Sequence, residues 1–271
     1  MFRFISEPLC AASILGGEIR FTPIAALNDP AELLPRFDRN RVLESLARMR
    51  QSGHTDADIE RLRRQESLLR KLAPEHQIVN APRTPAEADR VVRSSAYDDM
   101  IFMEKMLGSA SATISSRVAV ACFSERANSL PMWAHYASNA KGFCVEYQNL
   151  ECVFKGDETD LLGRILNVDY DDGPIGITFD TESYVKLFTS KFYDWSYELE
   201  RRVVLALRDL RGEGSCRFFD LPRSHIRVLI LGWNMPVETE RQLRRQVEAM
   251  APHVEVKRAS RVYQEFRVRA G

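Results

Sequence analysis

The apolar positions change period along the chain, and the elements follow from that change. Phe2–Ile5 and Glu18–Phe21 are short apolar-rich runs of strand length, with Gly16-Gly17 punctuating the approach to the second. Asn28-Asp29-Pro30 then marks a turn, because Asn and Asp bond to local backbone and the residue before proline leaves the helical region. From Asp38 to Leu72 the spacing becomes helical: Val42, Leu46 and Met49 recur on one face, as do Ile59, Leu62 and Leu69, with Gly53 dividing two helices. Pro74–Pro82 reads as a loop. Thr84-Pro85-Ala86-Glu87 is a capping box with proline at the first helical position, and it predicts a helix to about Leu107, ending at Gly108.

Beyond Gly108 the pattern turns to strands. Arg117–Phe123, Phe143–Tyr147, Ile165–Tyr170, Trp195–Leu207, Arg227–Leu231, Val254–Lys257 and Glu265–Arg269 are the candidates. Helices are expected at Ser129–Ala137, released at Lys141-Gly142, at Glu182–Tyr193, and at Pro236–Met250. Two strands, then helices, then many strands with few helices between them predict an α+β fold. The sheet should be mixed and mostly antiparallel, in one domain over residues 1–271, with a helical insertion at about 38–108.

Composition narrows the class. The 45% hydrophobic content supports a sizeable core, and 38 basic against 38 acidic residues argue against a whole-protein basic footprint for nucleic acid. The arginines of the Asp38–Leu72 stretch read first as a solvated helix face. No apolar run is long enough to span a bilayer, and Met1–Cys10 lacks the pattern of a secretory signal. The five cysteines are widely spaced and form no C-x-x-C pair, so they read as reduced thiols in a cytoplasmic protein. No zinc-ligand spacing is complete, and no metal is expected. The phosphate-cradling, dinucleotide-binding, nucleophile-elbow and zinc-protease motifs are all missing, which removes support for a kinase, a P-loop NTPase or a Rossmann dehydrogenase.

Three constellations carry candidate chemistry. In Trp195-Ser196-Tyr197-Glu198-Leu199-Glu200-Arg201-Arg202, a strand would put Glu198, Glu200 and Arg202 on one face, with the carboxylates about 7 Å apart. Such a pair can divide its roles, one acid staying ionised beside a developing cation and the other acting as base. A solvated strand face with an ordinary ion pair is the commoner fate of these positions. In Leu130–Tyr136, Trp133 and Tyr136 are helix neighbours that could stack on a base or nicotinamide ring, or simply belong to the core; His135 points elsewhere. Asn28-Asp29-Pro30 with Glu32 is either a ligand-binding loop or a plain Asx turn.

The order of these constellations resembles the bacterial family catalogued as domain of unknown function 2971. The matching residues are Arg3-Phe4; Asn28, Asp29, Pro30 and Glu32; Cys122-Phe123-Ser124; Met132, Trp133, Tyr136 and Lys141-Gly142; and Lys191, Trp195, Tyr197, Glu198, Glu200 and Arg202. An early strand with a basic residue, a middle aromatic element and a late Glu-x-Glu also resemble ADP-ribosyltransferases. That second resemblance implies sheets forming a central cleft that binds NAD as substrate. Glu200 would be the catalytic carboxylate, and Glu198 would position or activate the acceptor. Arg3 would meet the NAD phosphates or ribose, Asn28 and Asp29 would shape the cofactor loop, and Trp133 or Tyr136 would stack on nicotinamide. His135, Lys191, Trp195 and Arg202 complete the cofactor-binding candidates. The acceptor would be a macromolecule, protein or nucleic acid, as for a toxin or phage-defence effector. The alternatives are a non-catalytic nucleotide- or peptide-binding sensor module and, third, a nuclease using paired carboxylates for Mg²⁺.

Overall fold

The computed structural model describes residues 1–27, 36–37, 39–72, 74, 80–94, 100–156, 161–172, 176–177, 185–186, 188–262 and 267–270. Its first two strands, β1 (Phe2–Ile5) and β2 (Glu18–Pro23), are separated by a short helix α1 (Ala11–Leu15). A two-residue strand β3 (Arg36–Phe37) leads into the helical insertion. That insertion comprises α2 (Arg39–Ser52), α3 (Asp56–Leu72), α4 (Pro85–Val92) and α5 (Met100–Ser115). The main sheet resumes with β4 (Val118–Ser124), α6 (Leu130–Tyr136) and β5 (Phe143–Tyr147). Short strands β6 (Ile165–Asn167), β7 (Asp169–Asp171), β8 (Gly176–Ile177) and β9 (Ser190–Phe192) precede β10 (Glu200–Ala206). The chain closes with β11 (Arg217–Asp220), β12 (Ile226–Leu231), α7 (Val237–Met250), β13 (Glu255–Val262) and β14 (Arg267–Ala270). The fold is therefore α+β, as expected.

The sheet is ordered β11-β2-β4-β1-β5-β12-β13-β14, with β10 on β4 and β6 on β10. Among the described residues, parallel pairs are confined to β12–β13, β3–β8 and β7–β9. The site depends on how β4 divides its edges. β10 pairs with β4 over its whole length, from Glu200↔Ser124 to Ala206↔Val118. The other edge is shared: β2 joins it at Thr22↔Val120 and Pro23↔Ala119, and β1 joins it at Phe2↔Ser124. Strands β1 and β2 thus diverge along one edge of β4, and a fork opens beside Ala121–Phe123.

Both sheet faces are covered, which is why the central strands are almost continuously apolar. Alternation sends Ala119, Ala121 and Phe123 of β4 and Val203 and Leu205 of β10 into a core shared with Leu15 of α1 and Leu243 and Val247 of α7. It sends Val118 and Val120, with Val204 and Ala206, into a second core under the insertion, with Val42, Leu46, Leu72 and Ile114. A third cluster, Phe4, Met132, Trp133, Cys144, Val228 and Ile230, packs α6 onto the sheet. The second and third clusters share a sheet face, and the seam between them lies over the fork. Among the described residues no helix is long and apolar enough to cross a membrane.

Several expected boundaries move. The helix capped by Thr84, whose hydroxyl accepts from the Glu87 N–H at 3.3 Å, stops at Val92 rather than near Leu107. Arg50 donates two hydrogen bonds to the Val92 carbonyl at 3.1 Å, satisfying an end carbonyl from another helix. A separate α5 then runs through Gly108, where open space makes glycine merely a weak helix former. The expected strand Ile165–Tyr170 divides at Val168 into β6 and β7, whose partners differ. The expected helix Glu182–Tyr193 ends in strand β9, and Glu182 lies outside the described residues. Strand β11 pairs with β2 where no strand was expected. The largest correction concerns Trp195–Leu207. Its first part is a 3₁₀ turn, Tyr193–Glu198, and the strand begins only at Glu200.

Candidate active site

The turn before β10 exists because tertiary bonds overrule a strand-like pattern. Leu199 adopts the left-handed conformation, φ 43°, ψ 58°, which costs a non-glycine residue roughly 1–2 kcal/mol. Its neighbours hold it there: Ser124 Oγ donates to the Glu198 carbonyl at 2.6 Å, and the Glu125 N–H donates to the Leu199 carbonyl at 3.0 Å. The reversal points Glu198 inward from a turn and Glu200 inward from a strand. Glu200 and Arg202 share one face of β10, as expected, but Glu198 reaches the same spot by a different route.

Four buried charges meet there. Lys191, on β9, donates from Nζ to Glu198 Oε2 at 2.6 Å and to Glu200 Oε2 at 2.9 Å. Arg202 donates to both Glu200 oxygens, Nε to Oε1 at 2.6 Å and Nη2 to Oε2 at 2.9 Å, and its Nη1 donates to the Phe188 carbonyl at 3.1 Å. All four side chains are buried, Arg202 completely. Two carboxylates and two cations cancel, which is the condition for keeping charge out of water. Tyr136 donates its hydroxyl to Glu198 Oε1 at 2.5 Å, and the Glu200 N–H donates to the Tyr170 hydroxyl at 2.8 Å. The Lys191 ammonium also lies over the Trp195 ring, 5.1 Å from its centre.

The ionisation equilibria follow from burial and partners. Burial pushes the Glu200 carboxyl above the usual carboxylate range, and Lys191 pulls it back. Lys191 is opposed by burial, but the two carboxylates more than compensate and raise it above an ordinary lysine. Burial, then Glu198, raises the Tyr136 phenol, so it stays a donor. Cys122, beside Glu200, is raised well above a free thiol by burial and the nearby carboxylate, so it is a thiol and a poor nucleophile.

This network forms one wall of a cavity of about 200 Å³ inside the fork. Phe2, Arg3 and Phe4 come from β1, Thr22 from β2, and Cys122 and Ser124 from β4; Tyr136, Lys191, Trp195, Glu198 and Glu200 complete the chemistry-bearing lining. Arg3 is half-buried, 5.9 Å above the Phe123 ring, and burial lowers its pKa.

Of the residues nominated from sequence, the structure brings Arg3, Tyr136, Lys191, Trp195, Glu198 and Glu200 to the cavity wall. Arg202 lies behind it, holding Glu200. Trp133 is fully buried: its Nε1 donates to the Ala127 carbonyl at 2.7 Å, and its ring packs edge-on against Phe4. It does not line the cavity, so Tyr136 is the aromatic of that helix within reach. His135 is exposed and bonds the Tyr197 hydroxyl at 3.0 Å. Asn28 and Asp29 lie outside the described residues. Sequence reasoning assigned no role to Tyr170 or Cys122. Cys122 stood in a quoted motif, whereas Tyr170 gave no local signal, since its bond joins strands distant along the chain. Among the described residues no three His, Cys, Asp or Glu side chains form a group able to hold a metal.

No family model matches the chain, and neither a curated protein nor a solved structure matches it.

Proposed function

We propose that this cavity binds the nicotinamide-ribose end of NAD and transfers ADP-ribose to a macromolecular acceptor. The observation that carries the reading is convergence. Arg3 from one end of the chain, Tyr136 from a middle helix, and Glu198 and Glu200 from a late turn and strand share one small cavity. Its volume of about 200 Å³ is below the roughly 300–1,000 Å³ of most small-molecule pockets. It suits one ring and one sugar, with the rest of a dinucleotide outside.

In this reading the bond from ribose C1′ to the nicotinamide nitrogen breaks, and its electron pair leaves with the ring. Positive charge develops on the ribose, and the fixed Glu200 carboxylate stabilises it more in the transition state than in the ground state. The acceptor nucleophile then bonds to C1′ and gives its proton to Glu198. Arg202 and Lys191 are positioning residues that keep Glu200 ionised and oriented. Arg3 meets a phosphate or the ribose, and Tyr136 lies beside the nicotinamide ring.

One observation favours a second reading. The charges of the tetrad already cancel, as a nucleotide-binding module without turnover would require. Labelled NAD incubated with pure protein and cell extract separates the two. Label transfer by the wild type and its loss in Glu200→Gln support the enzyme. Thermal stabilisation by NAD without label transfer or nicotinamide release supports the module.

A further inference from the structure

Helix α3 carries Arg63, Glu66, Ser67, Arg70 and Lys71 at helical spacing, so they form one face. With Arg83, just before α4, and Arg208, in the 3₁₀ turn Leu207–Asp209 after β10, they line an open groove of about 490 Å³. Among the described residues five cations and one acid, Glu66, line the groove, with Asp209 paired to Arg208 and Glu87 accepting from the Arg83 N–H at its edge, in a chain whose total charge is zero.

The groove is organised around a buried anchor. Glu66, 7% exposed, accepts from Arg70 Nε at 2.8 Å and from the Ala81 N–H at 3.0 Å, and it holds Arg83 Nη2 at 3.3 Å. Two guanidinium groups are thereby fixed at the floor, while Arg63, Lys71 and Arg208 flank them. Fixed planar guanidinium groups match the oxygens of phosphate. Arg63 and Arg70 are seven residues apart on the helix, about 10 Å along its axis, so the cations span more than one phosphate. Among the described residues that line the groove none is aromatic, so they offer no ring on which unstacked bases could lie.

We infer that this groove docks the phosphate backbone of double-helical nucleic acid without reading its sequence. The inference stands apart from the cavity chemistry, because docking needs no NAD.

The test is fluorescence anisotropy of a labelled 20-base-pair duplex across a salt series, with the full chain. Neutralising three to four phosphates predicts a slope of log affinity against log salt of roughly −3. Arg63→Glu with Arg208→Glu, which leaves the Glu66 anchor intact, should weaken binding at least tenfold and flatten the slope by about 2. The milder pair Arg63→Gln with Arg208→Gln serves if charge reversal impairs folding. Arg227→Glu with Arg241→Glu, on β12 and α7, should change little. Undetectable binding at low salt would overturn the inference, as would equal loss from the control pair. Displacement of the duplex by poly-glutamate at equal charge concentration would overturn it in favour of an acidic protein partner.

Discussion

Replacing Lys191 with methionine removes the one ammonium that Glu198 and Glu200 share while largely filling its volume. In the wild type that ammonium lies 2.6 Å from one carboxylate and 2.9 Å from the other. Without it, two buried like charges face each other at roughly 5 Å, which at an effective dielectric of about 20 costs about 3 kcal/mol. Breaking a buried ion pair from one side generally costs about 3–5 kcal/mol, so the two arguments agree. The protein can reduce the penalty by protonating one carboxyl. That raises its folded pKa above the unfolded value of about 4.3, so the native variant binds more protons than the unfolded chain above that pH. The added instability is therefore greatest at high pH and shrinks on acidification. Lys191 in the wild type has the opposite window. Its raised pKa makes its contribution complete below about pH 10 and lost only above it. Urea unfolding of wild type and variant at pH 8 and pH 5 measures the difference. The reasoning predicts a deficit of about 3–5 kcal/mol at pH 8 that falls by at least about 1 kcal/mol at pH 5. A deficit below about 1 kcal/mol at pH 8, or the same deficit at both, would refute it.

Other outcomes follow from single contacts. A Cβ at Gly142 would clash with the Ile5 carbonyl oxygen, a backbone atom on the strand carrying Arg3, so Gly142→Ala should cost about 2 kcal/mol or more; an unchanged thermal melt would contradict this. Tyr170→Phe deprives the Glu200 N–H of its acceptor and should cost about 1–3 kcal/mol, read by denaturant midpoint. Burial raises the phenols of Tyr147 and Tyr170 to about 12. The folded state then holds more protons than the unfolded between about pH 10 and 12, so stability falls as pH rises through that window. Ultraviolet titration at pH 11 should show extra phenolate on adding urea, and the same phenolate content before and after would contradict it.

How much could be read from sequence depended on whether the deciding interaction was local. The capping box at Thr84, the division at Gly53 and the apolar runs of β4, β5 and β12 are local signals, and each element formed where they stood. The 3₁₀ turn before β10 is not local. Trp-Ser-Tyr-Glu alternates like a strand, and tertiary bonds from Ser124, Glu125 and Lys191 bend it. The same holds for the end of α4, decided by Arg50 from another helix. At the candidate site, spacing showed that Glu200 and Arg202 share a face, because strand geometry alone requires it. It did not show that the face is buried, nor that Lys191 lies between the two acids, since burial depends on the insertion packing above. Trp133 and Tyr136 differ for a related reason. One helix carries both, and the position of β1 decides which ring is core and which reaches the cavity.

The most direct test of the central claim is nicotinamide release. Purified wild-type protein, Glu200→Gln and Glu198→Gln would be incubated with NAD, with folding of each checked by thermal melt, and free nicotinamide quantified by chromatography. The account predicts release by the wild type and at least a hundredfold loss in Glu200→Gln, the scale of a removed transition-state charge partner. A smaller loss is predicted for Glu198→Gln. Folded wild type that releases no nicotinamide, with or without cell extract, or a Glu200→Gln variant that releases it at the wild-type rate, would contradict the account.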